Sequence, residues 1–447
     1  MSVWAQRAVL ARWRSRRRPQ APEELPDRLL GEAAGERGFT IARRVGGEQA
    51  LPVHGNLVLL SPARLCRHLL VCGATGSGKT ETLLRLAYAV ASCSEAPVFY
   101  LDGKADGESA ERFVGLMNRA GRGTRVFPHE PLDGWRGAAH EIHGRLMEVI
   151  DYASDGPAAW YRDIAKNVVR LACEHPAGPP RCSRDLLGRI DRDTLAAAHP
   201  DCSTLDALSP HQVHQVRLRY EAFFGQARGV FDGDWAWEEA AAAYLLLDRL
   251  KLREETVGVA RLLFEDFAHY FTTRKPRSRF ALLIVDEFSA LANAGGMAAR
   301  IEQARGFNTA LVLAPQTVAG MGDRDEAGRI LGSVETVVCH RINTPEQIVA
   351  LAGTRQALDY SSRYTPEGAS GHGTTRIRHQ FKIDPNRVRA LAPGAAYVIN
   401  CGRAMKVAVL RAPDARSTLP APRGDAEGQL TVPTPPSVSE KPVQLPF

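Results

Sequence analysis

The sequence predicts an α/β protein with a mainly parallel sheet, interrupted along the chain by an all-helical insertion. Three observations carry this. First, the apolar run Leu69-Leu70-Val71-Cys72 enters a Gly-rich turn, followed by helical periodicity over 81–91 and a second apolar run at 98–101. Such a β–loop–α–β unit calls for a parallel sheet covered on both faces. Second, strand signals thin out between about 131 and 240. Helical segments at 139–150, 158–173 and 205–224 are separated there by Pro-, Gly- and Cys-rich turns. Third, strand character resumes at 244–247. A helix over 254–271 follows, then a strongly apolar strand at 280–285, with further strands at 310–313, 336–339 and 396–399. The sheet therefore stops for the insertion and continues after it.

The remaining stretches complete the organisation. The chain has 447 residues, enough for two or three domains at roughly 150 residues each. Residues 1–38 read as a basic arm and polar linker, in which Trp4, Val9, Leu10 and Trp13 form a small apolar stripe. Residues 39–60 alternate apolar and polar around Gly46-Gly47, as a β-hairpin does. The sheet domain takes 39–130 and 241–412, and the insertion takes 131–240. Residues 413–447 hold 8 of the 28 prolines, so this segment reads as a disordered tail. No internal repeat is visible.

Composition is that of a globular chain, with 44% hydrophobic and 24% charged residues. That excludes a fibrous chain or one disordered throughout. The net charge is +7, but six arginines and no acid fall within residues 1–20: Arg7, Arg12, Arg14, Arg16, Arg17 and Arg18. The rest of the chain is near neutral, so the charge by itself does not describe a basic core. The arm suits an anionic lipid surface or nucleic acid. No run reaches the 18 or so apolar residues of a membrane helix, and the Arg-rich start has no signal-peptide pattern. The expected location is cytoplasmic, with peripheral contact at the inner membrane face. Eight cysteines without an export signal read as reduced thiols. The loose cluster Cys173, His175, Cys182, His199 and Cys202 lacks zinc spacing.

The chemistry lies in two motifs. Gly73-Ala74-Thr75-Gly76-Ser77-Gly78-Lys79-Thr80 fits GxxxxGK[ST], between a strand and a helix as that motif requires. Glycines let backbone amides curl around phosphate oxygens, and the helix N-terminus adds its positive dipole end. Lys79 would neutralise the β- and γ-phosphates of ATP, and Thr80 would offer its hydroxyl to Mg2+. The lysine is one of only 8 in the chain, which makes a chance match improbable. The second motif, Leu282-Leu283-Ile284-Val285-Asp286-Glu287, ends a buried strand in two carboxylates. Asp286 would hold Mg2+, and Glu287 would orient and polarise the attacking water. Gln316 follows the strand at 310–313, where its amide would sense the γ-phosphate or the water. Arg305 lies in the turn before that strand and reads either as a finger into a neighbouring subunit or as a solvated surface arginine.

Taken in order, these stretches resemble the FtsK–HerA motor superfamily, and within it the type IV coupling proteins of conjugation and secretion (TraG/TraD type). The resemblance runs over Arg67–Thr80 in sequence and over Leu101-Asp102-Gly103-Lys104. It continues through Asp286-Glu287-Phe288 with Leu291, Ala304-Arg305-Gly306 and Ala314-Pro315-Gln316. It also takes in the run RINTPEQIVALAG at 341–353 and the ending at 381–409, so it covers roughly 40–412. It implies a RecA-like ATPase with ATP and Mg2+ as cofactors. It further implies a homo-hexameric ring that moves single- or double-stranded DNA, and partners in a relaxosome or secretion channel. Lys79, Thr80, Asp286, Glu287, Arg305 and Gln316 match the family's P-loop, Walker B, arginine-finger and glutamine positions.

The chain departs from that family in showing no pair of transmembrane helices, which leaves the tether to a partner or to the basic arm. DNA contacts are open between the Gly-rich segment 361–380, with Arg363, His372, Arg376, Arg378 and His379, and the helical insertion. Two other functions remain: a HerA- or FtsK-like double-stranded DNA pump in repair, defence or segregation, and a nucleotide-gated adaptor that recruits protein cargo. The Asp286-Glu287 pair weighs against the adaptor, because a binding switch has no need of a water-positioning glutamate. A monomeric P-loop kinase is weaker still, for want of an acceptor site.

Overall fold

A computed structural model describes residues 30–33, 36–152, 156, 159–247, 255–287, 297–365 and 368–421. The basic arm, Phe288, Leu291 and residues 422–447 of the tail lie outside this set. Strands run in chain order as β1 Leu30–Ala33, β2 Glu36–Gly47, β3 Val53–His54, β4 Leu57–Leu60, β5 Leu69–Cys72 and β6 Val98–Asp102. They continue as β7 Thr124–Phe127, β8 Ala242–Leu246, β9 Ala281–Asp286, β10 Thr309–Ala314 and β11 Thr336–Cys339. The last four are β12 Thr354–Thr365, β13 Gly368–Phe381, β14 Ala395–Asn400 and β15 Arg403–Val409.

One sheet takes β3-β4-β2-β15-β14-β11-β5-β10-β9-β6-β8-β7 in that order, with β1 on β2. From β7 to β11 every pairing is parallel, and from β11 onward the added strands are antiparallel. The parallel strands are buried on both sides, which is why they read as unbroken apolar runs. Alternate residues point to opposite layers. Leu70, Phe99, Leu283 and Leu311 join one core, while Val71, Tyr100, Ile284 and Val312 join the other. The helices Lys79–Cys93 and Gly107–Arg119 cover the second layer.

The inserted helices cover the first layer and share its core. Between β7 and β8 lie the helices Ala139–Val149, Ala159–Cys173, Ser183–Arg189, Arg192–Ala198, Ser203–Asp206 and Pro210–Ala227. The single helix expected over 205–224 is thus two. Pro210 cannot sit inside a helix. Instead it opens the second one behind the capping box of Ser209 and Gln212. The helix Glu255–Thr273 joins this layer to the sheet. Its buried Asp266 pairs with Arg145 and accepts a bond from the Trp237 indole at 2.8 Å. The Trp237, Phe267 and Phe99 rings stack edge to face beside them.

Two further expectations change. Gly46-Gly47 is not a hairpin tip. Both glycines stay in β2, paired with Lys406 and Met405 of β15, and the chain turns later, between β3 and β4. The Gly-rich segment 361–380 is not a loop but most of a long antiparallel hairpin, β12 with β13, standing apart from the main sheet. No helix of the described residues is long and apolar enough to cross a membrane.

Candidate nucleotide site

The parallel strands all end on one edge, and the neighbours β5 and β10 lead on in opposite directions across the sheet, to β6 and to β11. That is the place where open α/β sheets bind ligands. A cleft of about 1050 Å³ opens there, lined by Gly73 to Gly76, Gly78 to Thr80, Asp286 and Gln316 among others.

The loop after β5 is built for close backbone approach. Gly76 and Gly78 have φ of 72° and 101°, where a side chain would be strained. A Cβ on Gly73 would fall 2.5 Å from the Ser77 hydroxyl and 2.7 Å from the His340 Cβ. The loop is pinned from behind by the Ala74 amide bonding Arg341 O at 2.8 Å and the Gly394 amide bonding Ser77 O at 3.0 Å. Among the described residues, the amides of Thr75, Gly76 and Gly78 donate to no partner. Three uncommitted amides at a helix N-terminus suit a polyphosphate. Ser77 is fully buried behind the loop, so it supports the cradle without lining it. His340 also sits behind it, bonded to the Thr82 hydroxyl at 2.8 Å. Burial pushes its pKa down to about 4, reinforced by the nearby Lys79 charge, so it packs as a neutral ring.

Both motif carboxylates are engaged by lysines. The Lys79 ammonium lies 3.0 Å from Asp286 and donates to Ala314 O at 2.8 Å, with both side chains nearly buried. Asp286 also accepts from the Tyr100 hydroxyl at 3.0 Å. Glu287 has φ of 57°, an uncommon left-handed setting that turns the chain out of β9. Its Oε2 takes a bond from the Gln316 amide at 2.9 Å and lies 3.3 Å from the Lys104 ammonium. Gln316 reaches Glu287 because β10 lies between β5 and β9 and ends beside both. Thr80 opens on the same cleft. The residues fit a nucleotide with a divalent cation: Thr80 and Asp286 would hold the metal, which would supply positive charge against the phosphates.

Arg305 is elsewhere. It starts the short turn Arg305–Phe307, before β10, so it lies at the amino edge of the sheet. The length of β10 separates it from the cleft by about 20 Å at roughly 3.3 Å per residue. Its side chain is exposed and forms no ion pair with a described residue. The turn beneath it is held firmly. Buried Arg274 donates to Phe307 O and to the Thr309 hydroxyl, and His68 bonds Ile301 O at 2.6 Å. Burial lowers the His68 pKa to about 4, aided by the Arg305 charge.

The cleft has residues that motif reading missed. The chain after β15 does not leave the fold at 412. Residues 413–421 pack along the helix Gly107–Arg119, with Ser417 N bonding Glu111 O at 3.1 Å and Arg416 pairing with Glu108 at 2.7 Å. Arg411, Asp414 and Arg416 thereby line the cleft opposite the P-loop. Glu81 fastens this strap by accepting the Ala412 amide at 2.8 Å while holding Arg112. Gly115, where a Cβ would collide with Ala415, leaves room for this path, and a lone helix glycine gives no such signal in sequence.

No family model matches the chain, and no curated protein does. Solved structures do. The bacterial conjugative coupling protein TrwBdeltaN70, in an unbound form, is 16% identical with a TM-score of 0.61, covering 89% of this chain and 100% of that one. The plasmid coupling protein TrwB in complex with ADP and Mg2+ gives 16% and 0.58, covering 88% and 98%. VirB4 of Thermoanaerobacter pseudethanolicus gives 14% and 0.56, covering 86% and 99%. At these identities the likeness establishes the fold, a RecA-like P-loop core with helices set into it, as the sequence predicts.

Proposed function

We propose that this protein is an ATP-hydrolysing DNA translocase of the conjugative or type IV secretion coupling type, working as a hexameric ring with Mg2+. The observation that carries the reading is the split of the hydrolytic set. Lys79, Thr80, Asp286 and Gln316 line one cleft and Glu287 is bonded to Gln316 beside it, while Arg305 stands exposed on the opposite edge of the same sheet. A chain that carries the cleft on one edge and the arginine on the other is completed by a neighbour of its own kind. In that ring Arg305 reaches the next subunit's cleft, where it stabilises the charge that builds on the transferred phosphoryl group. The shared fold with TrwB, solved with ADP and Mg2+, supports nucleotide and metal at this position.

DNA is the proposed track. The β12–β13 hairpin projects Arg355, Arg376 and Arg378 from one face, opposed there by Asp359 alone among the described side chains. A ring repeats that face six times around its axis, so a near-neutral subunit presents a cationic channel. Relaxosome or channel proteins and an anionic lipid surface under the basic arm complete the proposed partners.

Steady-state ATP hydrolysis with no DNA, single-stranded DNA and double-stranded DNA, read beside sizing in ATP, tests the reading. Stimulation by DNA together with a hexamer is expected. Turnover that ignores both DNA forms, from a species that stays monomeric in ATP, would overturn it.

A further inference from the structure

Lys104 is a cation of the cleft that lies outside both motifs and beside Glu287. Its backbone is fixed with care. The Lys104 and Asp106 amides donate to the two oxygens of buried Asp102, each at 2.8 Å, and the Tyr244 hydroxyl adds a third bond at 2.9 Å. The Gly103 amide bonds Asp286 O at 3.1 Å, which ties this turn to the end of β9. The side chain is free by contrast. It is 37% exposed, lines the cleft and ends 3.3 Å from Glu287 Oε2.

That same oxygen accepts the Gln316 amide at 2.9 Å. Both contacts fall on one oxygen and fix the direction in which the carboxylate points. A general base has to be aimed at the proton it takes. Gln316 is placed to orient Glu287, whereas Lys104 ties it to the wall of β6. An ammonium on a flexible four-carbon stem is easily drawn to a stronger anion, and a terminal phosphate entering this cleft is one.

We infer that Lys104 is a positioning residue that holds Glu287 against the end of β6, out of line for reaction, until the ammonium moves to an anion entering the cleft. The inference rests on the proposed hydrolytic role of Glu287 and adds a restraint on it. The restraint lowers turnover while it holds.

Lys104→Ala, Lys104→Met and Lys104→Arg, with Glu287→Gln as control, test this by ATP turnover with and without DNA. Lys104→Ala and Lys104→Met are expected to raise the DNA-free kcat several-fold with KM for ATP nearly unchanged. Lys104→Arg, which keeps the cation, restores the low basal rate. An unchanged or lower DNA-free kcat in both neutral variants overturns the restraint. Glu287→Gln separates the two levels: if it turns over like the parent protein, the hydrolytic reading of the site fails, and the restraint fails with it.

Discussion

The two edges of the central sheet are organised in opposite ways. At the carboxyl edge every charged side chain of the motifs has a partner within the same chain: Lys79 with Asp286, Lys104 with Glu287, Gln316 with Glu287. At the amino edge the scaffold is just as firm, with Arg274 bonded to the turn's backbone and His68 to the backbone of the helix before it, yet the Arg305 side chain above it faces solvent. A rigid mount under an exposed arginine is costly to build for a surface charge that does nothing, because desolvating Arg274 and His68 opposes folding. On the proposed reading, the carboxyl edge is a site awaiting substrate and the amino edge a site awaiting another chain.

Removing the amino-edge arginine is the largest expected perturbation. Arg305→Ala should lower ATP turnover by about a thousandfold or more, the scale of a finger supplied in trans, while nucleotide affinity measured by fluorescence titration stays within about twofold. A loss of affinity comparable to the loss of turnover would place Arg305 in its own cleft and break the contrast between the edges.

The β12–β13 hairpin gives a smaller effect. Replacing Arg355, Arg376 and Arg378 together by alanine should weaken binding of a DNA oligonucleotide by roughly tenfold and reduce the salt slope of the affinity. DNA-free turnover should not change. An unaltered affinity at all salt concentrations would move the track to another surface.

The smallest effect concerns the neutral histidines that underlie both edges. His68 and His340 have pKa values near 4 in the folded chain against 6.5 ordinarily, both through burial. Between those values the unfolded chain holds protons that the folded chain does not, so stability falls as pH drops from about 6.5 toward 4. Urea midpoints at pH 7 and pH 5 should differ accordingly, and His68→Gln with His340→Gln should flatten the difference. Equal midpoints for the parent protein would contradict the buried neutral rings.

What was legible in sequence followed the local physics. The P-loop, the apolar strands ending in Asp102 and Asp286, and the placing of Gln316 after β10 all depend on neighbours close along the chain. The order of β5, β10 and β9, which brings Gln316 to Glu287, was not legible in spacing. The hairpin at 354–381 was missed because a polar, Gly-rich sequence has no hydrophobic alternation to reveal strands. The strap at 413–421 was missed because proline and charge suggest disorder, whereas Glu111, Glu108 and Glu81 supply its partners from far along the chain. The Lys104–Glu287 contact pairs the end of β6 with the end of β9, 183 residues apart, and only the parallel register of those strands makes it.

The claim that one chain's arginine completes the next chain's cleft is tested most directly by mixing. Lys79→Ala and Arg305→Ala proteins, each inactive alone, are combined at a series of ratios and ATP turnover is followed in the presence of DNA. Shared rings place an intact Arg305 beside an intact P-loop, so turnover should reappear and peak at intermediate ratios. Mixed rings confirmed by sizing, with turnover absent at every ratio, would contradict the account.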